Sequence, residues 1–264
     1  MPQTPRHPPI AEAEKDRPDF DAAQSWGLTK RPDPQWVPGS GANDSNWKNH
    51  KKIAIDPYSE GRSVIDNYKT LISGIVPRPI GFVSTVDKDG KRNLAPFSFF
   101  NVVNPDPPVF TLGFSGPLDK PKDTCRNILE TQELTINIIS EWFVEAANYC
   151  SINSPADVDE WELSGLTPLE SDLVRPPHVA ESAFSVEAKL LHSHEWKSRA
   201  DPGKSTGVLC IVEGVRFHVR EDVLNEQKNQ IDIAKLKPVS RLGGISYGRT
   251  TAGYEMPRPQ YEAE

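Results

Sequence analysis

Apolar and polar positions alternate through the middle of this chain. Ile80, Phe82, Ser84 and Val86 share one parity, and Gly81, Val83 and Thr85 the other. Such a period of two predicts a strand over about 79–86. Asp87-Lys88-Asp89-Gly90 is a polar turn ending in glycine, where the chain can reverse. Small and aromatic residues then predict a return strand over 93–103, and a third strand follows at 108–114. Val64, Ile65, Tyr68, Leu71 and Ile72 recur at helical spacing, so a short helix is expected from Tyr58 to Ser73-Gly74. Further on the pattern predicts a helix at 123–131, a strand at 133–139 and a helix at 141–150. Residues 151–180 are mixed and loop-rich. Long strands are expected at 183–195 and 207–219, a helical turn at 221–227, and an irregular stretch at 236–254. Strands with few helices between them fit a closed barrel with appended helices better than a doubly wound sheet.

The first 56 residues break this pattern. Pro2, Pro5, Pro8, Pro9, Pro18, Pro32, Pro34 and Pro38 interrupt any period. The segment cannot easily bury a core of its own. Yet it carries Trp26, Trp36 and Trp47, each with a large apolar surface. It is expected to be an arm that docks its tryptophans on the main domain or on a partner subunit. The organisation expected is therefore a Pro-rich arm over 1–56, one domain over 57–250 and a tail over 251–264.

Composition narrows the function classes. The chain has 264 residues, 36% hydrophobic content, 25 prolines and a net charge of −7, which disfavours nucleic-acid binding. Three cysteines without a Cys-x-x-Cys pair make neither a disulfide framework nor a zinc cluster. A reducing compartment follows most simply. No secretory signal and no apolar run of membrane-spanning length is seen, so a cytoplasmic protein that does not enter membranes is expected.

One local pattern suggests anion binding. Lys122 precedes Asp123 and Thr124, two residues suited to a helix start. A helix N-terminus beside a lysine and a hydroxyl attracts anions. Pro77 and Pro79 flank Arg78 and present it from a stiff platform. Ser84 and Thr85 are adjacent strand positions, so only one side chain can face a given wall. Gly203-Lys204-Ser205-Thr206 looks like the end of a P-loop, but the earlier glycine is missing and a strand pattern follows. His192 and His194 share a strand face, but no third metal ligand has clear spacing. Cys125, in the 123–131 helix, reads equally as a dipole-activated thiol or a packed one.

Several stretches taken in order resemble the flavin reductase-like family, the FMN-binding split β-barrel proteins that include flavoredoxin. They are PRPIGFVST at 77–85, NLAPFSFF at 93–100, PDPPV at 105–109, KDTCRNILET at 122–131, ELTINII at 133–139, SGLTPLES at 164–171 and RLGGISYGR at 241–249. The resemblance covers roughly 57–250. It implies a mainly β split barrel with peripheral helices, usually a homodimer with FMN near the interface.

Under that resemblance, Lys122 and Thr124 lie near the flavin phosphate and Asp123 caps the helix. Arg78 contacts the phosphate or ring edge, with Arg126 and Arg241 adding positive charge. Ser84 or Thr85 lines one flavin wall. Asn93, Ala95, Pro96, Ser98 and the neighbouring phenylalanines form the other, with Ala95 small enough for close approach. Arg241, Gly243, Gly244 and Tyr247 lie near the cleft or the subunit interface. The hydride chemistry belongs to the flavin, so no catalytic acid or base is required.

Three functions remain open at this point. One is a flavin reductase moving electrons from NADH or NADPH to flavin and on to an unknown small-molecule or protein acceptor. Another is an FMN enzyme acting on a dedicated small molecule, with the 151–180 region shaping its pocket. The last is a flavin-binding electron carrier without turnover.

Overall fold

The computed structural model describes residues 7–155 and 158–261. Residues 1–6 of the expected arm, with Pro2 and Pro5, lie outside the described residues. So do 156–157 of the loop-rich region and 262–264 of the tail. The chain divides into two compact units, residues 75–250 and a second made of residues up to 74 with 251 onward.

In chain order the elements are α1 Ile10–Glu14, β1 Gly27–Thr29, α2 Val64–Gly74, β2 Gly81–Val86, β3 Arg92–Phe97, β4 Phe100–Pro105, β5 Pro108–Ser115, α3 Asp123–Thr131 and β6 Glu133–Ile138. Then come α4 Val144–Tyr149, α5 Glu160–Ser164, β7 Pro168–Leu169, β8 His178–Val179, β9 Phe184–Lys197 and β10 Ser205–Val219. The last are α6 Ile233–Leu236, β11 Val239–Arg241, β12 Tyr247–Arg249 and β13 Ala252–Tyr254.

The smaller unit is tied by β1, which pairs in parallel with β13. The Trp26 indole lies against Gly253, where no side chain would fit. Trp36 donates its indole N–H to the Gly41 carbonyl at 2.8 Å, a contact within the arm. Helix α2 begins at Val64 rather than near Tyr58. The reason is a reciprocal cap: Asp66 N donates to Ser63 Oγ at 3.1 Å and Ser63 N to Asp66 Oδ2 at 3.1 Å.

The larger unit is a seven-stranded antiparallel sheet in the order β3-β2-β6-β9-β10-β5-β4. Its two outer strands, β3 and β4, are consecutive in the chain. The stretch expected as one strand over 93–103 is two, broken at Ser98-Phe99. This break carries the chain from one sheet edge to the other and curls the sheet into a split barrel. Gly81 permits the closure, because the Phe100 ring would lie only 3.0 Å from a Cβ at this position.

The barrel interior is apolar. Val83, Phe97, Phe100, Phe110, Leu112, Phe114, Leu134, Ile136, Val186 and Val212 fill it, with Cys125 and Ile128 from α3. The peripheral helices form a second layer. Phe143, Ala147, Cys150 and Trp161 from the α4–α5 region pack on Ile80, Phe82 and Leu94. Strand β2 is thus buried on both faces.

The outer face of β6 and β9 is polar yet buried. Thr135, Asn137, Ser185 and Glu187 alternate with the core residues of these strands. Each holds the 171–182 segment or a neighbouring strand. Asn137 Oδ1 accepts from Val179 N at 2.9 Å and from Ser185 Oγ at 2.6 Å, and Thr135 Oγ1 donates to Pro177 O at 3.0 Å. Glu187 accepts from the backbone N–H groups of Asp172 (2.8 Å), Leu173 (2.6 Å) and Val174 (3.1 Å), and from His218 Nε2 at 2.5 Å. The His178 ring stacks on His218 with centroids 4.2 Å apart.

This network should make stability pH-dependent. Burial, then the neighbouring His218, holds His178 below its ordinary 6.5. Burial alone would raise Glu187, but the His218 bond and the backbone donors outweigh it and hold it below 4.5. In both cases the unfolded chain binds the proton more readily, so stability falls on acidification. The loss begins near pH 6.5 through His178 and deepens below 4.5 through Glu187. Thermal unfolding followed from pH 7 to pH 5 should show a falling Tm, and His178→Gln should flatten the decline.

Candidate functional site

Two cavities that share Pro96 and Ser151 lie beside β3. The larger holds about 520 Å³ and the smaller about 170 Å³. The larger is walled by Asn93, Ala95, Pro96 and Phe97 of β3, by Lys120 to Thr124 and Arg126 at the start of α3, and by Cys150 to Ser154 and Glu160. The smaller is lined by Ile80, Pro96, Ser98, Asn148, Ser151, Arg241 and Tyr247.

Helix α3 meets the larger cavity with its N-terminus. Lys122 is the residue before the first turn, and its side chain makes no cap. The first-turn N–H groups therefore find no partner inside the helix, and the positive end of the dipole is available to a ligand. The Lys122 ammonium lies 5.8 Å from the Phe97 ring centroid. Neither Lys120 nor Lys122 makes an ion pair among the described residues.

Asp123 does not cap the helix, contrary to expectation. It occupies the first helical position, past the capping site, and its carboxylate pairs with Arg126 at 2.6 Å. Thr124 lines the cavity but is almost wholly buried, and its Oγ1 accepts from Asn93 Nδ2 at 2.8 Å. Asn93 also reaches Thr85 Oγ1 at 3.4 Å, and Asn127 donates to the same oxygen at 3.1 Å. These bonds lock β2, β3 and α3 together around the cavity wall.

Thr85 therefore lies on the α3 side of β2, one side chain behind the cavity wall. Ser84 points to the other face, fully buried, with no hydrogen-bond partner for its Oγ among the described residues. Neither side chain is among the described residues lining these two cavities. Arg78 is also withdrawn. Its guanidinium donates to the carbonyls of Ile75 (2.7 Å) and Leu242 (3.2 Å) and reaches Ser98 Oγ at 3.4 Å. Its backbone pairs both ways with Arg241, at 3.0 and 2.9 Å, so it fastens the 241 segment beside Ser98.

Arg241 lines the smaller cavity. It donates to the carbonyls of Gly244 (2.9 Å) and Ile245 (3.0 Å) and lies 4.5 Å over the Tyr247 ring. Gly244 has φ +60°, which lets the turn fold back under the guanidinium. The Tyr247 hydroxyl donates to Asn148 Oδ1 at 2.9 Å, and burial raises its pKa.

The wall from Cys150 to Ser154 with Glu160 was not legible residue by residue, since no period marks it. Glu160 is buried, accepting from Ser154 Oγ at 2.6 Å. Burial pushes the Cys150 thiol up to about 11, so it is neutral at physiological pH. Cys125 is a packed core thiol. His192 and His194 are exposed on β9, with no metal cluster around them among the described residues. Asp172, Glu187 and His218 do bring ligand atoms within 4.8 Å of one another, but the Glu187 oxygens are already occupied by the network above. Lys204 sits in the β9–β10 turn and Ser205 opens a strand, so no phosphate loop forms there.

The model of the flavin reductase like domain matches residues 73–234. An uncharacterized protein of Aquifex aeolicus is 39% identical over 181 residues, covering 68% of this chain and 88% of that protein. One from Halalkalibacterium halodurans is 37% identical over 208 residues, covering 78% and 97%. Among solved structures, nitrilotriacetate monooxygenase component B from Bacillus cereus superposes with a TM-score of 0.70 at 34% identity, covering 81% of this chain and all of that one (100%). The 2-nitrobenzoate 2-nitroreductase of Pseudomonas fluorescens gives 0.69 at 26%, covering 81% and 99%. Flavoredoxin of Desulfovibrio vulgaris gives 0.56 at 26%, covering 72% and 91%.

Proposed function

Because the chain belongs to the flavin reductase-like family, we propose that it is an FMN-dependent oxidoreductase fed by NADH or NADPH. The observation that carries this reading is the 520 Å³ cavity with the uncapped start of α3 and, in its wall, Lys120 and Lys122, which make no ion pair among the described residues. Its size is within the range of cofactor sites. FMN, when bound, accepts a hydride and passes electrons on. The chain's own residues bind and orient it.

In this reading Lys122 and the N–H groups at the start of α3 take the phosphate. Asn93, in the wall itself, and Thr85 and Asn127 behind it hold Thr124 and the helix start in register. Ala95 and Pro96 give a flat, small-residue floor for the ring. The segment Ser151–Ser154 forms the opposite wall. Arg78 positions Ser98 and the 241 segment and does not touch the cofactor. FMN is favoured over FAD because the sequence carries no adenine-binding signature. A cytoplasmic homodimer is part of the proposal. Phe99, Val102, Val103 and Trp196 are exposed, and burying them against a second copy would be favourable. No helix among the described residues is long and apolar enough to cross a membrane.

Steady-state oxidation of NADH and NADPH with added FMN tests the reductase reading. Turnover with free flavin as acceptor is expected. FMN binding with no nicotinamide oxidation would favour the carrier instead. The smaller cavity favours a second enzyme reading, in which bound FMN serves a dedicated small molecule.

A further inference from the structure

The 170 Å³ cavity, about a third of the volume of the larger one, adjoins it through Pro96 and Ser151. Whatever fills it lies beside the occupant of the larger one. Its polar groups are mostly donors. The Asn148 oxygen is taken by the Tyr247 hydroxyl, which leaves the amide N–H₂ to face a ligand. Ser98 Oγ faces the Arg78 guanidinium, which leaves its own O–H free to donate. Arg241 binds only two backbone carbonyls and the Tyr247 face, and makes no ion pair among the described residues. No carboxylate lines the cavity among the described residues.

A fixed guanidinium without an anion, surrounded by donors, is complementary to a carboxylate. The Tyr247 and Arg241 stack holds the fork rigid, so little ordering is needed on binding. We infer that this cavity is a subsite for the carboxylate of a small substrate, held by Arg241, Asn148 and Ser98 next to the flavin. This separates Arg241 from the phosphate-binding role expected of it from sequence. The inference rests on the flavin reading only for what the carboxylate lies beside. Carboxylate binding itself can be measured with or without FMN.

Benzoate, with benzamide as its neutral isostere, is the probe. Calorimetric titrations of the full chain, with and without saturating FMN, are compared for wild type, Arg241→Gln and Asn148→Asp. Asn148→Asp still accepts the Tyr247 hydrogen bond, so it tests the site should Arg241→Gln disturb the 243–246 turn. Benzoate should bind wild type more tightly than benzamide. It should weaken by roughly ten-fold or more in both variants, the loss expected for one charge-assisted interaction. FMN affinity should stay within about two-fold, since neither residue lines the larger cavity. Benzoate binding that is absent, equal to benzamide or unchanged in both variants would overturn the subsite. So would a large loss of FMN affinity in Arg241→Gln, which would return this arginine to the cofactor phosphate. Pyrophosphate displacing benzoate at lower concentration would also overturn it, in favour of the nicotinamide dinucleotide's own phosphates. Failure of wild type to take FMN while still binding benzoate would refute the flavin reading and leave the subsite standing.

Discussion

Replacing Lys122 with alanine is expected to weaken FMN binding by roughly 10–100-fold, the effect of losing one charge-assisted contact to a phosphate. The barrel should remain folded. Lys122 has no ion pair among the described residues, and its ammonium lies 5.8 Å from the Phe97 ring centroid. Lys122→Arg should retain part of the affinity, and raising salt should narrow the gap between wild type and variant. Thr124 calls for a different substitution. Its hydroxyl accepts from Asn93 inside the wall, so Thr124→Ala would leave a buried amide donor without this partner and confuse binding with stability. Thr124→Ser keeps the bond and is the proper control. Fluorescence quenching of FMN measures all of these. Equal affinities for Lys122→Ala and wild type would remove the phosphate from the start of α3.

Glu187→Ala should produce the largest loss of stability. The carboxylate is fully buried and binds three backbone N–H groups and His218. Its removal leaves these donors unanswered and opens a void, at about 3–5 kcal/mol for breaking a buried charged network. For a unit of this size that corresponds to a Tm drop on the order of 10 °C. The 171–182 segment should loosen first, because Glu187 holds its backbone directly. Hydrogen exchange at Asp172, Leu173 and Val174 would report that opening. Protection at these amides equal to wild type would show that the segment is held by the Asn137 and Thr135 bonds alone.

Much of the barrel was legible because its strands alternate and its turns carry glycine and polar residues. Helix α3 runs over Asp123–Thr131, as the pattern predicts, and Gln132 closes it in the left-handed conformation. The break at Ser98-Phe99 was not legible. Both sides of it read as strand, and only pairing β3 to β2 and β4 to β5 shows why the chain turns there. Ser84 and Thr85 could not be told apart in sequence, since β2 is buried on both faces and alternation carries no sidedness. Tertiary packing decides it, with Asn93 and Asn127 converging on Thr85.

The site shows the same division. Lys122, far in sequence from Asn93, Ala95 and Pro96, lines one cavity with them. The sequence shows Arg78 between two prolines but not the carbonyls of Ile75 and Leu242 to which its guanidinium donates. Glu187 looks like an isolated acid on β9, and its three backbone partners lie 13 to 15 residues upstream in a loop without periodicity.

The most direct test of the account is the visible absorbance of the purified protein loaded with FMN, recorded anaerobically before and after NADH or NADPH. Retained flavin bands that bleach on addition of the nicotinamide are predicted. Failure to retain any FMN, together with no nicotinamide oxidation when free flavin is supplied, would contradict the proposed function.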